Sequence, residues 1–354
     1  MGVKMQTVYL KITDVKKEYD YIKQAAQTLA SGGVVAIPTE TVYGLAASAL
    51  CEDAVRQIFV AKGRPQDNPL IVHLADASEV DKVCMDVPKS AYKLFEAYSP
   101  GPLTVVLKKR ELIPNVVSAG LDTIGIRIPS HPVARGIIKV SGVPIAAPSA
   151  NISGKPSPTT AQHVLSEMDG RIDMIVDGGT CDVGVESTVV SLAGDVPVLL
   201  RPGGITLTQL EAVLGHVELS KAVLSKFSDS EKVAAPGMKY RHYAPKAKVL
   251  VIRGYDNDVI PFIQSKLHEA KKQGRNASVM CFDGEENYFS DTVCVSYGKR
   301  DEPSTLAHNL FDVLRGFDDT DTEVIYARCP EKTGIGLAVY NRLIKAAGFN
   351  IIDV

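Results

Sequence analysis

Between Val34 and Leu74 the chain reads VVAIPTETVYGL and then, after a helical insert, AKGRPQDNPLIVHL. The first run is a buried strand that spills into a Pro-Thr-Glu-Thr turn. The second sets Lys62, Arg64, Asn68 and His73 around another short apolar strand. Apolar strands separated by helices make an α/β sheet, and ligands of such sheets collect at strand ends. A purely structural segment has little use for so many hydrogen-bonding groups among apolar runs. The stretch points to a pocket for a polar, anionic small molecule.

At 354 residues the chain is long enough for two domains, each with its own core. The formal net charge of -2 gives no global basic footprint, so charge alone does not favour nucleic-acid binding. Cys51, Cys84, Cys181, Cys281, Cys294 and Cys329 are scattered without a CxxC pair, which suggests neither a zinc site nor a redox motif. The first residues, MGVKMQTVYLKITD, hold no apolar leader run, and no run approaches a membrane span. A cytoplasmic protein with no membrane association is expected.

Strand and helix patterns alternate along the first two-thirds. Helical spacing covers 18–30, 53–60, 90–97, 133–140, 160–167 and 207–214. Strand patterns cover 34–37, 70–74, 103–108, 123–128, 143–147, 174–177, 187–192 and 198–201. Links of both hairpin and helix length imply a mixed, twisted sheet with flanking helices. Residues 225–247 change character: SKFSDSEKVAAPGMKYRHYAPKA is polar, bears Pro and Gly, and keeps no period. It reads as a linker, yet Tyr240, His242 and Tyr243 crowd beside Lys239 and Arg241 in a way an idle tether does not need. From Lys248 a smaller α/β unit follows, Rossmann-like in its alternation but without GxGxxG. The domains expected are 1–224, a linker or lid over 225–247, and 248–354.

No Walker A, HExxH, GxSxG or kinase pattern is present, so any phosphate must be held in another way. Lys62 and Arg64, spaced i, i+2, would share one side of an extended segment, where ammonium and guanidinium suit a polyphosphate. The alternative is a solvated basic pair after a helix. Ser149 and Asn151 leave a strand for the loop SANISGKPSPT, whose small residues and free N–H groups could cradle an anion or simply make a turn. Arg127 alternates with Ile124, Ile126 and Ile128, and shares a face with Gly125. It could clamp a carboxylate against the sheet, or lie on a solvated face. Ser187 and Arg201 sit at strand ends. His131, His163, His216, His268 and His308 show no metal-ligand spacing.

The ordered motifs PTETVYGL, KGRPQDNPL, SPGPLT, IGIRIPSHP, APSANISGKPSPT, DGG, ESTVV and LLRPGG resemble those of the YrdC-like threonylcarbamoyl-adenylate synthases. The likeness spans about residues 8–220 and includes a KxR plus SxN tetrad, Lys62, Arg64, Ser149 and Asn151. APGMKYRHYAP and the C-terminal α/β unit resemble the long, two-domain branch. The resemblance implies an enzyme that joins L-threonine, bicarbonate or CO2, and ATP with Mg2+, releasing threonylcarbamoyl-adenylate and pyrophosphate. A separate transferase complex would then carry the group to tRNA. It further implies that Thr41, His73, Arg127, Ala147 and Ser187 contact threonine. Arg64, Asn68, Thr123, Ser149, Ser157, Arg201 and a linker tyrosine, Tyr243 or Tyr240, would contact the nucleotide. It gives no protein ligands for the metal and leaves direct tRNA binding open. Two other readings remain: a non-catalytic RNA-binding module, which the net acidity disfavours, and a hydrogenase-maturation carbamoyl transferase, whose zinc-finger cysteine pairs are missing.

Overall fold

The structure, a computed structural model, describes residues 6–225 and 242–354. The described chain divides into two compact units. One comprises residues 6–153 and 157–223; the other comprises 154–156, 224–225 and 242–354.

The first unit is organised on one sheet. Its strands are β1 (Val8–Lys11), β2 (Val35–Ile37), β3 (Gly44–Ser48), β4 (Ile71–His73), β5 (Leu103–Lys108), β6 (Thr123–Arg127), β7 (Ile145–Ala146), β8 (Met174–Asp177), β9 (Thr188–Ser191), β10 (Val198–Arg201) and β11 (Glu218–Leu219). They lie in the order β1-β8-β2-β3-β7-β4-β6-β5-β9-β10-β11. Pairings are mixed, as expected: β6 is parallel to β4 and antiparallel to β5, while β5 is parallel to β9.

Helices α1 (Tyr19–Ala30), α2 (Glu52–Lys62), α3 (Val80–Val83), α4 (Lys89–Tyr98), α5 (Asn115–Ser118), α6 (Pro132–Ser141), α7 (Ala161–Met168) and α8 (Leu207–Leu214) flank it. The period of 2 sends alternate strand residues to opposite cores. Val35 and Ile37 join Ile22, Ala25 and Leu29 of α1 with Val133 and Ile137 of α6. Ala36, between them, joins Val55, Ile58 and Phe59 of α2. Burial of each such Val, Ile or Phe contributes about 1.5–3 kcal/mol.

Three strands of this sheet are not legible in the pattern: β1, β3 and the two-residue β11. β1 is an edge strand with mostly exposed residues, so it shows no apolar alternation. β3 is GLAAS, buried at every position and composed of residues with low strand propensity.

The second unit carries β12 (Lys248–Arg253), β13 (Ala277–Cys281), β14 (Cys294–Ser296), β15 (Val324–Arg328) and β16 (Ile351–Asp353), with α9 (Asp256–Lys272), α10 (Pro303–Gly316) and α11 (Gly336–Ala346). The order is β14-β13-β15-β12-β16 and every pairing is parallel. This is the open, Rossmann-like sheet expected after Lys248. The linker expected over 225–247 falls mostly on 226–241, outside the described residues. Among the described residues no helix is long and apolar enough to cross a membrane.

Candidate active site

The turn after β2 is fixed by its own side chains. Thr39 Oγ1 donates to the Val42 carbonyl at 2.5 Å and lies 2.9 Å from Thr41 Oγ1. Tyr43 pins the far end: its hydroxyl donates to the Gly179 carbonyl at 2.6 Å, and its backbone bonds Pro158 and Ala150. Thr39, Glu40 and Thr41 are thereby held rigid and buried.

Glu40 meets Arg127 at the end of β6. Arg127 Nη2 donates to Glu40 Oε1 at 2.8 Å, and the Ser130 N–H donates to Oε2 at 3.0 Å. Both side chains are 5% exposed. Burial opposes ionisation of Glu40, but the Arg127 charge and the hydrogen bonds outweigh it and hold the carboxyl below its ordinary range. The solvated-face alternative for Arg127 is therefore wrong. Among the described residues Arg127 Nε is buried without a hydrogen-bond partner.

Strand register surrounds Arg127. His73 on β4 and Thr104 on β5 are its direct neighbours. Burial foremost, and then the Arg127 charge, push the His73 imidazole pKa down to about 3. The ring is neutral near pH 7. Its Nδ1 lies 3.2 Å from the Ile71 carbonyl, which only accepts, so Nδ1 carries the proton and Nε2 is an acceptor. Thr104 Oγ1 is 2.8 Å from Ser187 Oγ, just before β9. Arg201, at the end of β10, donates from Nε to the Ser187 carbonyl at 3.0 Å and from Nη2 to Ser187 Oγ at 3.1 Å. Ser157 Oγ donates to the neighbouring Glu186 Oε1 at 2.5 Å.

A second group adjoins the same turn. Ser149 bridges to Gly44 of β3, and Ser149 Oγ donates to Asn151 Oδ1 at 2.5 Å. Lys62 reaches beneath this loop, and its ammonium donates to the carbonyls of Ser149 and Asn151. Arg64 Nη2 donates to the carbonyls of Asn68 and Pro69 at 3.2 and 3.3 Å, curling its loop. Among the described residues the buried Asn68 Oδ1 has no partner.

The i, i+2 reading of Lys62 and Arg64 as one side of an extended segment is corrected by the structure. Lys62 closes α2, and Gly63 caps it in the left-handed region at φ 59°. The helix runs two residues beyond the expected Val60 because Ala61 and Lys62 are good helix formers and both bury inward.

Ala147 lies beside β4, its N–H on the Ile71 carbonyl at 3.0 Å. Thr123 opens β6, on the face of Arg127 but about 13 Å away along the strand. Tyr243 is in the second unit, with its ring 5.1 Å from that of Phe311. Tyr240 lies outside the described residues.

Sequence reasoning passed over Glu40, Thr104 and Glu186. Glu40 and Glu186 stand inside the motifs PTET and VEST, each a carboxylate among apolar residues, and that was the available signal. Thr104 offered none; its role depends on pairing with β6 and β9.

Fold and site define an α/β enzyme domain whose buried arginines and hydroxyls gather at strand ends without a P-loop. A family model described as "Telomere recombination" matches residues 27–203, and one described as "Threonylcarbamoyl-AMP synthase, C-terminal domain" matches 205–348. The threonylcarbamoyl-AMP synthase of Pyrococcus abyssi is 46% identical over 98% of this chain and 100% of its own. That of Bacillus subtilis is 46% identical over 99% and 100%. The crystal structure of the P. abyssi protein complexed with L-threonine superposes with a TM-score of 0.91 at 45% identity, covering 98% of this chain and 99% of that one. The chain belongs to the threonylcarbamoyl-AMP synthase family, in its two-domain form.

Proposed function

We propose that this chain is an L-threonylcarbamoyladenylate synthase that converts L-threonine, bicarbonate or CO2, and ATP to the adenylate and pyrophosphate. The observation that carries this is Arg127: a buried guanidinium with one edge on Glu40 and an unpartnered Nε–H. A buried donor without a partner costs about 1–3 kcal/mol, which a ligand carboxylate would recover.

In this reading Arg127 takes the amino-acid carboxylate, while Thr41, Ala147 and Ser187 shape the pocket. The bare Nε2 of His73 accepts from the threonine hydroxyl, a contact that discriminates against analogues lacking it. Arg64, Asn68, Thr123, Ser149, Ser157 and Arg201 hold the nucleotide. The threonine amine, having lost its proton, adds to CO2. A carbamate oxygen then attacks the α-phosphorus of ATP, one new P–O bond forms, and the bond to pyrophosphate breaks. No protein nucleophile is needed. The residues contribute alignment and stabilisation of charge on the α-phosphate. Lys62 and Asn151 support this by fixing the Ser149 loop.

Mg2+ would enter with the ATP phosphates and would supply charge neutralisation for the leaving pyrophosphate. The cationic and hydroxylic donors here suit phosphate oxygens, and among the described residues no three His, Cys, Asp or Glu side chains gather. The product, a mixed anhydride, hydrolyses readily. Its consumer is a transferase complex that modifies tRNA. Six free cysteines fit a reducing cytoplasm. The test is pyrophosphate release that requires both L-threonine and bicarbonate. Release with ATP alone, or salt-sensitive RNA binding without turnover, would overturn the proposal.

A further inference from the structure

Arg127 and Glu40 form a charge-balanced, buried pair at the end of β6. The carboxylate oxygens of Glu40 are held by Arg127 Nη2 and the Ser130 N–H, so the pair is braced from two elements, β6 and the loop after it. Each oxygen keeps a lone pair beyond the bond it accepts. The guanidinium keeps its buried Nε–H. The pair therefore offers a spare donor of positive charge and a spare acceptor of negative charge side by side. Around the pair, His73 is a neutral imidazole, burial lowers His131 and pushes the Cys181 thiol upward, and the charged groups further out are Asp182, which acts on Cys181 and His131, and Arg201, which bonds Ser187.

A buried pair of zero net charge favours neither sign of ligand, because an uncompensated charge against it loses its hydration without a counter-ion. It admits a zwitterion, whose two ends match the two ends of the pair. We propose that Glu40 is a specificity-determining residue: the Arg127–Glu40 pair reads the substrate as a zwitterionic amino acid, and Glu40 excludes amine-free carboxylates that Arg127 alone would accept. This rests on the threonine reading above and adds the residue that selects against simple hydroxy acids. Glu40 also orients Arg127, so the proposal must be separated from a merely structural role.

The experiment is calorimetric titration of the full chain, wild type and Glu40→Gln, with three ligands: L-threonine, the anion 3-hydroxybutanoate, and the cation L-threoninamide. Glutamine keeps the shape and an oxygen acceptor but removes the charge. The wild type is expected to bind threonine at least about tenfold more tightly than either charged analogue, since each 1.4 kcal/mol is tenfold. Glu40→Gln is expected to shrink the preference for threonine over 3-hydroxybutanoate by tenfold or more. A purely structural role would weaken both ligands alike and leave that ratio unchanged, which overturns the proposal. Should Glu40→Gln fail to fold, the wild type decides: 3-hydroxybutanoate binding as tightly as threonine also overturns it. Wild type that binds no threonine at all removes the underlying functional reading instead.

Discussion

The Lys62 ammonium donates to the carbonyl of Ser149, 87 residues further along the chain, and to that of Asn151. Lys62 is 2% exposed and its bond to the Asn151 carbonyl is buried, while Ser149 is half-buried. Lys62→Met keeps the apolar stem and deletes the donor. The buried Asn151 carbonyl left without its donor then costs about 1–3 kcal/mol. We expect a lower urea midpoint and a loss of pyrophosphate release of at least about tenfold, because the Ser149 loop is no longer held. A Lys62→Met protein with unchanged urea midpoint would refute the clamp.

Thr104 acts through Ser187. The two hydroxyls lie 2.8 Å apart on adjacent segments, and Ser187 is also bonded by Arg201. Thr104→Val preserves volume but removes the hydroxyl. With Ser187 Oγ short of one partner, we expect a loss of roughly 1–3 kcal/mol. At about 1.4 kcal/mol per tenfold, that is a roughly 5- to 150-fold drop in kcat/KM for threonine. Thr104→Ser should restore most of it. Equal kcat/KM for Thr104→Val and wild type would detach Thr104 from the site.

Gly203 explains why LLRPGG follows β10 so closely. A Cβ there would lie 2.2 Å from the Thr188 nitrogen and 2.5 Å from the Ser187 carbonyl carbon. These are backbone atoms and cannot swing aside. Gly203→Ala must push the chain at Ser187 out of register, at a cost of about 1–3 kcal/mol from overpacking. Gly204→Ala meets chiefly the Pro102 ring and Val183, so it leaves Ser187 in place. Thermal melting and turnover should both fall for Gly203→Ala, with turnover falling further than for Gly204→Ala. Equal turnover in the two variants would count against this account.

How far the sequence reveals all this follows from the range of each signal. The α/β order, α1 and β6 are local: apolar residues at periods of 3.6 and 2 over a few turns or pleats identify them. Arg127 was placed on its face by the same alternation. β3 was missed because its Ala and Gly residues are buried by their neighbours rather than by their own preference. The Glu40–Arg127 pair spans 87 residues, and nothing near either residue announces the other. The positions of Lys62, Ser149 and Asn151 were apparent, but the direction of the Lys62 donors, toward carbonyls, depends on how α2 meets the loop.

His73 supplies a test in pH. Its folded pKa is about 3, against about 6.5 for a free imidazole, because burial and the Arg127 charge disfavour the cation. Below pH 6.5 the unfolded chain therefore binds a proton at this residue that the folded chain refuses. Protons then favour unfolding, so stability falls as pH drops from 6.5 toward 3, by at most about 1.4 kcal/mol per pH unit from this residue. Above pH 6.5 the residue contributes no slope. Glu40, held below its ordinary range, adds loss of the same sign only as pH falls past the carboxylate range. His131, lowered chiefly by burial, shares the sign of His73, so the variant must isolate one ring. His73→Gln keeps a hydrogen-bonding side chain that does not titrate. Between pH 6.5 and 5 its urea-derived stability should decline less steeply than that of wild type, by up to one proton per molecule. For the same reason the neutral ring gives wild-type kcat/KM no inflection from His73 between pH 5.5 and 7.5. Parallel stability slopes for the two proteins would mean that His73 is protonated in the folded state, and its role as a hydroxyl acceptor would fall with that.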